Sequence, residues 1–308
     1  MSHHTITLTD AELRFPGVRR GQQQRSAVVG PLTLELSTGV VGLVGRNGSG
    51  KTTLLGLLAG QLRASEGRVV HQIGNADRDA FDDPVVLETT SLTGVDIDYV
   101  PSWSVDSVLT VAAQRHPNWD MEEAHHLLEA FRVPLYGRYG SLSRGQRTAV
   151  SITVGLAAHT PVTLFDEPYV GLDAQARRHF YRALMESVEL DPRLVVISTH
   201  HLPDLERIVD RVLVLEGGRL VHDIDAEDLE GRFYGLTGST ARVDAVLDQL
   251  GDGKTLSRQN MAGASRAVVD LGAGTSAESA RAGVLADVVA EPLGLEDAVL
   301  QLTGGEPA

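Results

Sequence analysis

The chain has 308 residues, with 41 acidic against 27 basic side chains, a formal net charge of −14 and no cysteine. Its length and 42% apolar content suffice for one large domain or two modest ones, while the lack of cysteine excludes a disulfide scaffold, a zinc-thiolate site and a thiol nucleophile. The acid excess argues against broad nucleic-acid binding, which needs a basic face.

The first ten residues do not read as a signal peptide, and no apolar run is long enough to span a membrane. A soluble, cytoplasmic chain is therefore expected, with any membrane contact peripheral or through a partner.

In chain order, Leu32 to Leu36 alternates apolar and polar residues and predicts a strand. Val40 to Val44 is apolar on both faces, as a buried parallel strand is. A glycine-rich stretch from Gly45 to Gly50 follows, and then a helical run from Lys51 to Ala59. Residues 75–98 are rich in acids and read as a solvated, irregular insertion. From about 104 to 158 the pattern is mostly helical, clearest from Met121 to Phe131. Val162 to Phe165 and Leu194 to Ile197 are further buried-strand runs with polar residues at their carboxyl ends, and 212–221 reads as a hairpin.

Composition changes near Gly231. A helix over 241–250, strands within 257–271 and a final helix carrying Leu295, Ala298, Val299 and Leu302 predict a small α+β domain. The expected organisation is an α/β domain over 1–235, with a helical subdomain inserted at about 102–160, and an α+β domain over 236–308.

Gly45 to Thr52 fits the pattern G-x-x-x-x-G-K-[ST] between a strand and a helix, the context that motif requires. Glycines turn backbone N–H groups toward phosphates, and the helix N-terminus adds partial positive charge. Lys51 would meet the β- and γ-phosphates, and the Thr52 hydroxyl would meet Mg²⁺. The chain has only two lysines, Lys51 and Lys254, so arginine supplies 25 of its 27 basic residues. A lysine kept in such a chain suggests a task for a compact point charge. Asp166 and Glu167 end a buried strand, where one carboxylate can hold Mg²⁺ and the next can polarise water. His200 follows another strand and could reach the γ-phosphate.

These motifs, together with Ser141 to Gln146 and Gly171 to Asp173, occur in the order and spacing of ABC-transporter ATPases, which the chain resembles over about residues 5 to 230. The resemblance implies a P-loop NTPase of the ABC ATPase type, with an inserted helical subdomain and an antiparallel β subdomain. It implies ATP held by Gly45, Arg46, Asn47, Gly48, Ser49, Gly50, Lys51, Thr52 and Thr53, with Phe15 stacked on adenine. It also implies a head-to-tail dimer with a second copy or a related subunit, in which Ser143, Arg144, Gly145 and Gln146 face the nucleotide of the other subunit. By the same likeness Glu167 is the catalytic base, His200 the γ-phosphate sensor, and Asp173 links the two sites. The tail, Leu295 to Asp297 and Leu302 to Gly304, resembles that of exporter-type ATPases of the multidrug and antibiotic-resistance group.

Two departures stand out. Ser102 follows Ile97 to Pro101 where the family usually has a glutamine that touches Mg²⁺; its hydroxyl could reach the metal through water. Arg144 replaces a glycine of the commonest signature. The leading expectation is an ATPase subunit, peripheral on the inner membrane face, that powers a separately encoded permease. The alternatives are an ABC ATPase acting on ribosomes or nucleic acid, and a nucleotide-gated regulatory module. The first lacks a coiled coil or second cassette, and an intact Glu167 disfavours the second.

Overall fold

The computed structural model describes residues 4–15, 28–94, 97–199, 208–229, 232–250, 254–261, 263–272, 288–294 and 297–298. The chain falls into two compact units, residues 1–200 with 215–222 and residues 201–214 with 223–308.

In chain order come strands β1 (His4–Arg14), β2 (Val28–Leu36) and β3 (Gly39–Val44), helix α1 (Lys51–Leu58), strands β4 (Glu66–Ile73) and β5 (Ala76–Asp79), helix α2 (Pro84–Thr89) and strand β6 (Thr90–Gly94). Helices α3 (Val105–Arg115), α4 (Met121–Ala130) and α5 (Arg144–Ala157) follow, then β7 (Val162–Asp166), α6 (Ala174–Leu190) and β8 (Leu194–Thr199). The remaining elements are β9 (Arg211–Glu216), β10 (Arg219–Asp225), α7 (Ala226–Leu229), β11 (Phe233–Ser239), α8 (Thr240–Leu250), β12 (Thr255–Met261), β13 (Ala264–Asp270) and β14 (Val289–Pro292).

The central sheet has the order β10-β9-β3-β8-β7-β6. Strands β3, β8, β7 and β6 run parallel, with Val41 opposite Val196 and Leu164 opposite Val196 and Leu92. Their apolar residues face helices on both sides, which is why these runs show no alternation. The register also sets Val44 opposite Thr199 and Asp166 opposite Ser198 and Gly94. The polar carboxyl ends of four strands therefore finish side by side, where open parallel sheets bind ligands.

Residues 75–98 are not an irregular insertion. They contain β5, α2 and β6, and β6 is a strand of the central sheet. Its sequence is polar, yet Thr90, Ser91 and Thr93 are each under 5% exposed. Threonine packs like valine on a pleated surface, so a buried strand was disguised by its hydroxyls.

A second sheet, antiparallel along β2-β1-β4-β5, flanks the core of the same unit. Helices α3, α4 and α5 enclose their own apolar cluster, including Val105, Leu109, Leu128 and Val150. Each of the three begins at a side-chain cap: Ser104, Asp120 and Ser143.

In the second unit the sheet order is β12-β13-β11-β14, with every neighbouring pair antiparallel, and α8 packs Val243 and Val246 against Tyr234, Leu236 and Val269. This is the strand order of a split βαβ sheet. Its central strand β11 begins at Phe233, so position 235/236 lies within a strand. Of the expected final helix, Leu295, Val299 and Leu302 lie outside the described residues. Among the described residues no helix is long and apolar enough to cross a membrane.

Candidate nucleotide site

The loop between β3 and α1 turns on Gly50, whose φ of 106° is left-handed and whose Cβ, if present, would stand 2.6 Å from Val29 Cγ2. Only glycine meets both conditions. Because Gly50 has no side chain to cap α1, the first N–H groups of that helix are left for a ligand's oxygens. Inside the loop, the Ser49 hydroxyl is buried and has no hydrogen-bond partner. An orphaned donor beside a bare helix N-terminus fits a phosphate. Arg46, Asn47 and Gly48 are exposed along the loop rim, with Thr53 half-buried one residue beyond Thr52.

Lys51, 6% exposed, points back across this loop. Its Nζ donates to Gly45 O at 2.7 Å and lies 3.2 Å from Glu167 Oε1. Thr52 Oγ1 donates to Asp166 Oδ2 at 2.6 Å across 114 residues of chain. Four residues singled out in the sequence thus meet at one point, Lys51 and Thr52 from α1 and Asp166 and Glu167 from the end of β7. The donor set at Thr52 and Asp166 is all oxygen, which suits a hard cation such as Mg²⁺.

Ser198 holds both carboxylate residues in place. Its hydroxyl donates to Asp166 Oδ1 at 2.5 Å and accepts the Glu167 N–H at 2.9 Å. Glu167 has φ 50°, a left-handed backbone that a non-glycine residue keeps only when its surroundings enforce it. The loop that follows is fastened to α5. Thr148 Oγ1 donates to Val170 O at 2.8 Å, and Gly145 lies so close to Gly171 that a Cβ would meet its carbonyl oxygen at 2.5 Å.

Ser143 caps α5 through a reciprocal pair: its hydroxyl accepts the Gln146 N–H at 3.2 Å, and Gln146 Oε1 accepts the Ser143 N–H at 3.1 Å. Arg144 is exposed beside them. Asp173 caps α6 by accepting the Ala176 N–H at 2.8 Å. Phe15, 40% exposed, directly follows β1. Ser102 is exposed in the turn before Trp103, and no hydrogen bond described joins it to Thr52 or Asp166. His200 lies outside the described residues.

Sequence reasoning passed over Ser198 and Tyr169. Ser198 had a signal: it is the first polar residue after the apolar run Leu194 to Ile197, and parallel register places it level with Asp166. Tyr169 carried none, because its partner is set by the turn after Glu167.

Comparison with known proteins agrees with this geometry. Residues 29–170 match the family model described as ABC transporter. The aliphatic sulfonates import ATP-binding protein SsuB of Mycobacterium avium is 33% identical over 228 residues, covering 73% of this chain and 86% of the relative. The ABC transporter ATP-binding protein YtrB of Bacillus subtilis is 27% identical over 202 residues, 66% of this chain and 68% of the relative. The solved structure of an ATP-binding subunit of an ABC transporter superposes with a TM-score of 0.60 at 21% identity, over 73% of this chain and 91% of that one. The chain belongs to the ABC transporter family as an ATP-binding, ATP-hydrolysing subunit with the α/β fold of ABC ATPases.

Proposed function

We propose that this subunit powers a separately encoded membrane permease, and that export is the direction of transport. The observation that carries the catalytic part is the convergence of Lys51, Thr52, Asp166 and Glu167 at the mouth of the phosphate loop. Lys51 and the loop N–H groups would hold the β- and γ-phosphates, and Thr52 and Asp166 would hold Mg²⁺. Held by these two residues, Mg²⁺ would offset the negative charge of the phosphates. Glu167 would orient water for in-line attack, with catalysis coming mainly from positioning and charge stabilisation.

A head-to-tail dimer is part of this reading: Ser143 and Gly145 stand at the start of α5, and Thr148 and Gly145 join that helix to the loop after Glu167. The stroke would pass to the permease, on the inner membrane face, through α3 to α5 and the loop around Ser102. A cleft of about 500 Å³ between Gly94, Asp98 and Arg144, Ser151 leaves room for such movement. Export rests on the tail sequence, Leu295 to Asp297 and Leu302 to Gly304. Phe15 is proposed to stack on adenine, and His200 to sense the γ-phosphate.

The test is co-purification of the chain with a membrane protein of about six hydrophobic spans, followed by transport in inside-out vesicles. ATP added outside should drive substrate into them. ATP-driven release of preloaded substrate would reverse the direction, and no membrane partner at all would overturn the transporter reading.

A further inference from the structure

We infer that Tyr169 is a positioning residue for hydrolysis: its hydroxyl holds one oxygen of the Glu167 carboxylate so that the other faces the attacking water. The inference rests on the proposed role of Glu167 as the base.

Tyr169 lies two residues after Glu167, across Pro168, and is 7% exposed. Its hydroxyl donates to Glu167 Oε2. The same hydroxyl accepts from Thr199 Oγ1 at 2.8 Å, and Thr199 is fully buried at the end of β8, directly before His200 in sequence. The order of donors is fixed by chemistry, since a carboxylate only accepts. The tyrosine proton therefore points at Glu167, and the threonine proton points at the tyrosine. Such a chain polarises each link and restrains the last one.

The two carboxylate oxygens of Glu167 are thus distinguished. Oε2 is bound to Tyr169, a group of the same loop that stays with it. Oε1 lies 3.2 Å from Lys51 Nζ, and Lys51 is the group that phosphates would draw toward themselves. As Lys51 turns to phosphate, its hold on Oε1 loosens while Oε2 stays with Tyr169, so Oε1 is the oxygen that can turn to water. Without Tyr169 the side chain would swing about three bonds, and misplacement of a reacting group by an ångström costs about a hundredfold in rate. The backbone of Glu167 is already held by Ser198; Tyr169 extends that control to the carboxylate itself.

The experiment is steady-state ATPase kinetics on the full chain and on its Tyr169→Phe, Thr199→Val and Glu167→Gln variants, with affinity for a fluorescent ATP analogue and the melting temperature measured in parallel. Tyr169→Phe keeps the buried ring, so melting temperature, KM and nucleotide affinity should hold within about twofold while kcat falls about tenfold or more. Thr199→Val, which leaves the contact with Glu167 in place, should lower kcat by less. Equal kcat in wild type and Tyr169→Phe, with Glu167→Gln inactive, would overturn the inference while leaving Glu167 as base. A loss in Tyr169→Phe that appears equally in KM and nucleotide affinity would overturn it too, by showing a structural role. If Glu167→Gln hydrolyses ATP as fast as wild type, the base assignment itself is wrong and the inference goes with it.

Discussion

Lys51 and Glu167 form an ion pair 3.2 Å long across the floor of the phosphate loop, with the lysine also bound to Gly45 O at 2.7 Å. The lysine is therefore enclosed on two sides before any phosphate is considered. A guanidinium is broader, planar and forked, and has no room between these partners. Lys51→Arg should retain the charge and still lose ATP binding by about tenfold or more, with hydrolysis lost alongside it. Nucleotide titration of the purified variant checks this. Glu167→Gln should do the opposite for affinity, because it removes an anion that competes with phosphate for Lys51.

The close approach of Gly145 to Gly171 gives a second expectation. A valine at 145 would push the backbone of 171–173 away from α5, since no side-chain movement can relieve a clash with a carbonyl oxygen 2.5 Å away. Gly145→Val should bind ATP normally, because the phosphate loop is untouched, and hydrolyse it at least tenfold more slowly. Parallel binding and turnover measurements separate the two effects.

Mixing experiments address the proposed dimer. A Lys51→Ala subunit keeps its signature segment, and a Ser143→Arg subunit keeps its phosphate loop, so a mixed head-to-tail dimer holds one intact site. Each variant alone should be inactive, and an equimolar mixture should recover ATPase activity. No recovery on mixing would show that each chain completes its own site.

Arg193 is 3% exposed and reaches Thr163 Oγ1 at 3.3 Å and Ser187 Oγ at 2.8 Å, together with the carbonyls of Ser187 and Asp191 at 3.4 and 3.3 Å. It thereby joins the end of α6 to β7 inside the first unit. Arg193→Met would remove the donor to the buried Ser187 hydroxyl and one partner of Thr163, and should destabilise by about 2 kcal/mol. A fall in melting temperature of about 5–10 °C is the readout.

His4 and His71 supply a pH dependence. Their rings are linked at 2.9 Å between His4 Nε2 and His71 Nδ1, and His71 Nε2 donates to Leu58 O at 2.9 Å. The carbonyl requires a proton on His71 Nε2, so Nδ1 must accept from His4. Burial is the main cause that pushes each ring down from 6.5 to about 4, helped in His4 by its neighbour. The folded state thus favours the neutral rings. That stability is present above about pH 6.5 and is lost as pH falls through 6.5 toward 4. Melting temperature should be level from pH 7 to 8 and drop between 6.5 and 4.5, and His4→Phe should make the drop shallower.

The phosphate loop and the carboxylates were legible because their chemistry dictates residue type and spacing within a few positions of chain. Lys51 was marked further by the scarcity of lysine around it. What escaped was set by register between distant strands. Ser198 matters because β7 and β8 run level, and β6 was hidden because buried threonines do the work of valines. Tyr169 is recognisable only when the left-handed turn at Glu167 brings its hydroxyl back to the carboxylate.

The start of α5 closes on itself through Ser143 and Gln146. In that pair the Ser143 hydroxyl acts as acceptor, so its proton stays available to a γ-phosphate brought by a second subunit. The cap would then hold the hydroxyl in place for a second subunit's nucleotide without giving up a bond. Binding would add a contact to a segment whose geometry the cap has already fixed, so little further ordering would be needed.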